Sequence, residues 1–167
     1  MKLARLLRHR WLDAADARRA LGDAALKRLE ERVARSENRH SGEIRVCVEA
    51  GLPLSYLWRD LSPRHRAVTL FGKLRVWDTE ANNGVLIYLL LAEHAIEIVA
   101  DRGLTRHVSP AQWRTLIAGM GDAFRAGHFE AGLAQAIDVV DGVLLQHFAL
   151  AEGQANPNEL SDRVDLR

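Results

Sequence analysis

Five of the six residues from Asp78 to Asn83 carry a side-chain oxygen: Asp78, Thr79, Glu80, Asn82 and Asn83. Hard cations such as Ca²⁺ or Mg²⁺ take several such oxygens at once. Trp77 precedes the cluster, and an unbroken apolar run, Val85 to Leu91, follows it. A second run, Ala95 to Ala100, ends in Asp101-Arg102-Gly103. Asp78, Glu80, Asn83 and Asp101 are therefore candidate metal ligands, and Trp77, Thr79, Asn82 and Asn83 candidate ligand-binding residues. The same residues have a purely structural reading. Asn-Asn-Gly is a turn signal because both residue types tolerate positive φ. Asp78 and Thr79 can bond loop backbone, and Asp101-Arg102 can be a surface ion pair.

Other chemistries lack their residues. There is no G-x-x-x-x-G-K-[ST] and no G-x-G-x-x-G, so no nucleotide cofactor is expected. Cys47 is the only cysteine, which excludes an internal disulfide and a cysteine-built zinc site. It lies mid-strand without the C-x₅-R of a cysteine phosphatase. The seven histidines show no H-E-x-x-H or H-x-H spacing. A net charge of +1 gives no global field for nucleic acid, so no nucleic-acid partner is expected.

The elements that position these residues follow from periodicity. The 167 residues suit one globular domain. No eighteen-residue apolar window exists, and the N-terminus, broken by Arg5, Arg8 and Arg10, does not read as a secretory signal. A cytoplasmic location is the expectation, with peripheral contact at an inner membrane through residues 2–12. There Leu3, Leu6 and Leu7 share a helical face. Docking of that segment on its own domain is the competing reading. Asp23 is read as the N-cap of a helix carrying Leu26, Leu29 and Val33. Residues 43–49 alternate, which predicts a strand with one less-buried face. Ser62-Pro63 and Ser109-Pro110 each open a helix. Gly119 and Gly121 predict close approach of another backbone. A last helix carries Phe129 to Phe148. The boundaries expected are a basic segment at 1–21, an α/β domain at 22–149 and a flexible polar tail at 150–167.

Topology gathers the polar residues. A strand–helix–strand unit is parallel and right-handed. The hairpin through Ala92-Glu93-His94 then adds an antiparallel strand. The expected fold is a three-layer α/β/α sandwich with a small mixed sheet, order 1-2-3. In it His40, Ser41 and Glu43, the 77–83 loop and Asp101-Arg102 share one rim.

These same residues carry a family resemblance. Gly42-Glu43-Ile44 opens the first strand, and Asn82-Asn83-Gly84-Val85-Leu86 opens the second. Asp101-Arg102-Gly103, Trp113, and Phe124, Gly127, Phe129 and Gly132 complete the pattern. Over roughly residues 24–149 the chain resembles TPM-domain proteins, the thylakoid-lumen phosphatase-like and photosystem-repair proteins and their bacterial relatives. H-S-G-E-I-R and V-W-D-T-E-A-N-N-G-V-L-I-Y resemble a short proteobacterial subtype without signal peptide or membrane anchor. Where relatives carry Gly-x-Gly after the third strand, this chain has Asp101-Arg102-Gly103. The resemblance implies one of two functions. One is a ligand- or divalent-cation-binding accessory protein with a membrane-associated protein partner. The other is a metal-assisted phosphomonoesterase, with Asp78 as metal ligand or nucleophile, Asp101 as ligand or base, and Arg102 as phosphate clamp.

Overall fold

The computed structural model describes residues 3–167; Lys2, counted above in the basic segment, lies outside them. β1 (Glu43–Glu49) pairs in parallel with β2 (Gly84–Leu90), and β2 pairs antiparallel with β3 (Ala95–Ala100). β2 is buried at every position, as its unbroken apolar sequence requires of a strand covered on both faces. On one side Val85, Ile87 and Leu89 join Ile44, Val46 and Val48. On the other Leu86, Tyr88 and Leu90 join Cys47.

Helices cover both faces. The first core is closed by α3 (Asp23–Glu37) and α9 (Phe129–Phe148), with α7 (Pro110–Ala118) and α8 (Gly121–Arg125) beside them. α3 buries Leu26, Leu29 and Val33, and α9 buries Leu133, Ile137, Val140 and Leu144, each at helical spacing. The second core is closed by α4 (Leu54–Trp58) and α5 (Pro63–Lys73). The N-terminal stretch forms two helices, α1 (Leu3–His9) and α2 (Ala14–Leu21). Asp13 caps α2 in a reciprocal capping box with Asp16, which explains why a helix begins there.

The expected three-stranded sheet is corrected to four strands, in the order β3-β2-β1-β4. β4 (Asp165–Leu166) comes from the polar stretch after Leu150, which was expected to have little fixed structure. It pairs in parallel with β1 through Cys47 and Val48. Two residues carry no periodic signal, so the sequence pattern could not reveal them. The open face expected for β1 is also corrected, since every β1 residue except the half-buried Arg45 is buried. Two of its charged side chains are fully engaged. Arg45 donates to the carbonyls of Ser161 and Arg163, and Glu49 receives the Arg66 guanidinium.

Two smaller expectations change, while the tight antiparallel return from β2 to β3 is present. Gly22, at φ 82°, occupies the N-cap of α3, and Asp23 is its first residue, where its charge meets the positive helix end. The β2–β3 connection is a 3₁₀ turn ending at His94 in the left-handed region. Gly119 and Gly121 meet no other backbone closely; they mark the break between α7 and α8.

Candidate functional site

Strand register builds the rim. Glu43 is the Cα partner of Gly84, and the Asp101 N–H donates to the Gly84 carbonyl at 2.9 Å. Asn83 precedes Gly84 in the chain. Glu43, Gly84 and Asp101 therefore stand in one row across three adjacent strands, with neighbouring backbones about 4.8 Å apart, and Asn83 enters that row one residue earlier, at the edge of β2.

Glu43, Asn83 and Asp101 are each buried and each leaves one oxygen without a hydrogen-bond partner: Glu43 Oε1, Asn83 Oδ1 and Asp101 Oδ2. Their other polar atoms are committed. Asn83 Nδ2 donates to Ser41 Oγ at 3.2 Å, and its backbone N–H donates to Thr79 Oγ1. Asp101 Oδ1 accepts the Arg102 N–H, capping the short helix α6 (Arg102–Thr105). Glu43 Oε2 accepts the Leu160 N–H at 3.0 Å. An unpaired buried acceptor costs about 1–3 kcal/mol, so three at one end of the sheet call for protons, waters or a cation.

The 77–83 loop is held over this row by two glycines. A Cβ on Gly84 would lie 2.0 Å from the Val76 carbonyl oxygen, and one on Gly103 would lie 2.5 Å from that of Asn82. Asn82 itself takes φ 52°, the left-handed conformation its side chain tolerates.

Within that loop the candidate residues part company. Asp78 is exposed, pairs with Arg75, and lines a cleft of about 310 Å³ shared with Arg45, Glu159, Leu160 and Ser161. Asp101 does not line that cleft. Glu80 is exposed, and its N–H donates to Glu159. Trp77 is half exposed, with Nε1 donating to the Gly72 carbonyl. Arg102 is exposed beside Asp101. Among the described residues, no three His, Cys, Asp or Glu side chains converge as a ready-made metal centre.

Two features of the rim rest on long-range contacts that no local pattern revealed. The first is the crossing of residues 150–167 over β1. Asn156 donates to the carbonyls of Glu37 and His40, and the Val164 N–H donates to Glu30. This places Glu159 and Asp162 near Glu37 and Glu43. Burial, then acidic neighbours, push the Glu43 carboxyl up to about 7. Burial pushes Glu37 up to about 9, against the stabilising Ile44 N–H that its Oε1 accepts at 2.7 Å.

The second is a buried polar chain behind Ser41. Ser36 Oγ lies 2.8 Å from His40 Nε2 and 2.7 Å from Asp141 Oδ1, while His40 Nδ1 faces the Gly42 carbonyl at 3.0 Å. Burial holds the His40 pKa below its ordinary value, partly opposed by Asp141. The Ser36 hydroxyl is committed between two buried partners. This chain positions the start of β1; it does not present a nucleophile.

Known proteins resemble the chain at two levels. The TPM domain family profile matches residues 14–143. The solved structure of BA42 protein from the psychrophilic bacterium Bizionia argentinensis is 26% identical, with a TM-score of 0.74, over 87% of this chain and 94% of that one. The N-terminal domain of a protein from P. gingivalis is 20% identical, with a TM-score of 0.61, over 82% and 90% of the two chains, and shares the fold. No curated protein matches it significantly.

Proposed function

This chain belongs to the TPM domain family, and from that premise we propose that it is an accessory protein that binds a divalent cation at the strand rim. The observation that carries the reading is the pair of buried, unpartnered oxygens flanking Gly84: Asn83 Oδ1 and Asp101 Oδ2. Both are acceptors, and hard cations select oxygen. Asp101 and Asn83 hold the ion, and Glu43 is the second carboxylate in reach of the row. So few protein ligands leave positions for water or for an anionic group on a partner, as Mg²⁺ sites commonly do. The ion would neutralise the buried acids and present a positive centre at the rim. Asp78 is left out of this reading because it stands exposed on a separate cleft that Asp101 does not line.

The reading is tested by thermal unfolding with and without Mg²⁺ or Ca²⁺. A site ligand at one hundred times its Kd stabilises the fold by about 2.7 kcal/mol. The wild type should gain stability, Asp101→Asn should gain none, and Asn83→Asp should gain it at lower cation concentration. Equal gains in all three proteins would reject the site.

One observation favours a second reading, hydrolysis of phosphomonoesters: Arg102 stands exposed beside Asp101, where a phosphate would be held. Turnover of p-nitrophenyl phosphate that needs the cation and disappears in Asp101→Asn supports it. Equal background in both proteins removes it.

A further inference from the structure

We propose that α1 and α4 together form a face that docks on an anionic lipid surface. Six of the nine large hydrophobic side chains exposed among the described residues come from these helices and the turn after α1: Leu3, Leu7, Trp11, Leu12, Leu54 and Trp58. Trp11 is 76% and Trp58 79% exposed. No helix among the described residues is long and apolar enough to cross a membrane, so any contact is peripheral.

The exposure is not needed to hold α1 in place. Its inner side is complete without it. Leu6 packs into the second core. His9 is buried, its Nδ1 accepting the Leu52 N–H at 2.9 Å and its Nε2 lying 3.1 Å from Glu93. Arg5 bridges Glu93, Asp60 and the Leu61 carbonyl. The opposite side carries Leu3 and Leu7 four residues apart, one stripe on the helix, and Trp11 follows exposed in the turn after it. α4 contacts α1 and repeats the pattern, burying Leu57 and exposing Leu54 and Trp58 four residues apart.

Charge selects the occupant. Arg8, Arg10 and Arg59 are exposed, and none makes an ion pair among the described residues; Arg10 stacks on Trp11 at 4.3 Å. Residues 3–12 contain no acid. A second copy meeting this face would set arginine against arginine. Anionic headgroups pair with those arginines while the leucines enter the acyl boundary and the indoles sit at headgroup depth. The proposal is independent of the rim.

The test is co-sedimentation with vesicles of phosphatidylcholine alone or mixed with phosphatidylglycerol. The wild type should pellet with the mixed vesicles, and its tryptophan emission should shift to the blue. Trp11→Ala/Trp58→Ala should lose most of this binding. Arg8→Glu/Arg10→Glu should weaken it at least about tenfold, since each surface cation contributes favourably near anionic lipid. Both variants should keep the wild-type melting temperature, because none of the four side chains is buried. Absent binding, equal binding to both vesicle types, or unchanged binding by both variants would overturn the proposal. So would ultracentrifugation showing a wild-type dimer that Trp11→Ala/Trp58→Ala dissolves, which would make a second copy the occupant.

Discussion

The Gly103 N–H donates to the Asn82 carbonyl at 2.7 Å, and a Cβ on Gly103 would stand 2.5 Å from that same oxygen. This contact ties the segment leaving β3 to the loop entering β2, so the rim exists because residue 103 has no side chain. Gly103→Ala must push the loop away from Asp101. Overpacking of this kind costs about 1–3 kcal/mol, read as a lower urea midpoint. The variant should also lose any Mg²⁺- or Ca²⁺-dependent stabilisation, although every candidate ligand remains. A wild-type midpoint in Gly103→Ala would show that the loop yields without consequence.

Glu37 supplies a pH prediction. Its carboxyl is raised to about 9 by burial, so the folded state holds a proton that the unfolded state has released above about 4.5. Stability contributed by the neutral form is complete below about 4.5 and falls as pH rises towards 9, by at most about 1.4 kcal/mol per unit. Glu37→Gln keeps an acceptor for the Ile44 N–H and an N–H donor towards Asp162, imitating the neutral acid. Its urea midpoint should match the wild type near pH 5 and exceed it increasingly through pH 7 and 8.5. Parallel pH profiles for the two proteins would mean that Glu37 is ionised in the fold.

Glu49 and Arg66 form the buried ion pair of the second core. The guanidinium reaches both carboxylate oxygens, and Tyr88 donates its hydroxyl to Glu49 Oε2 at 2.7 Å. Burial and the Glu49 charge raise the Tyr88 pKa, so the phenol stays protonated and keeps donating. Removing either charge alone leaves the other buried and unpaired, which costs about 3–5 kcal/mol. Glu49→Gln and Arg66→Met should each be destabilised by that order, and the double variant by less than the sum. Additive losses in this urea-denaturation cycle would show that the two groups do not depend on each other.

How much of this was legible in the sequence depends on how local the cause is. The uniform apolar run of β2 demanded a central strand, and the alternation of Ile44, Val46 and Val48 demanded a neighbour. From these the parallel pair, the antiparallel return and the shared rim follow by chain geometry. Asp101 and Asn83 stand out because they bound those strands. Asp78 looks equivalent in sequence, yet Arg75, three residues earlier, engages it. What stayed hidden is non-local. Glu43 gains its buried environment from Leu160, and Arg45 its partners from Ser161 and Arg163, more than a hundred residues away. A two-residue strand in a polar stretch has no period to detect.

Cys47 reports on that distant contact, and it is the chain's only thiol. It is fully buried, its Sγ lies 3.5 Å from Asp165 in β4, and burial followed by the Asp165 charge pushes its pKa up. Thiols react as thiolates, so Cys47 in the folded wild type should react with a disulfide reagent far more slowly than an unfolded control. Arg45 fastens the crossing segment, and Arg45→Ala removes its donors to Ser161 and Arg163 without touching the core. If residues 160–167 detach as a unit, this variant should expose Cys47 and speed its labelling by about tenfold or more at unchanged melting temperature, since local opening needs less free energy than global unfolding. Labelling that accelerates only in step with global unfolding would show instead that β4 is integral to the sheet and opens only when the whole domain does.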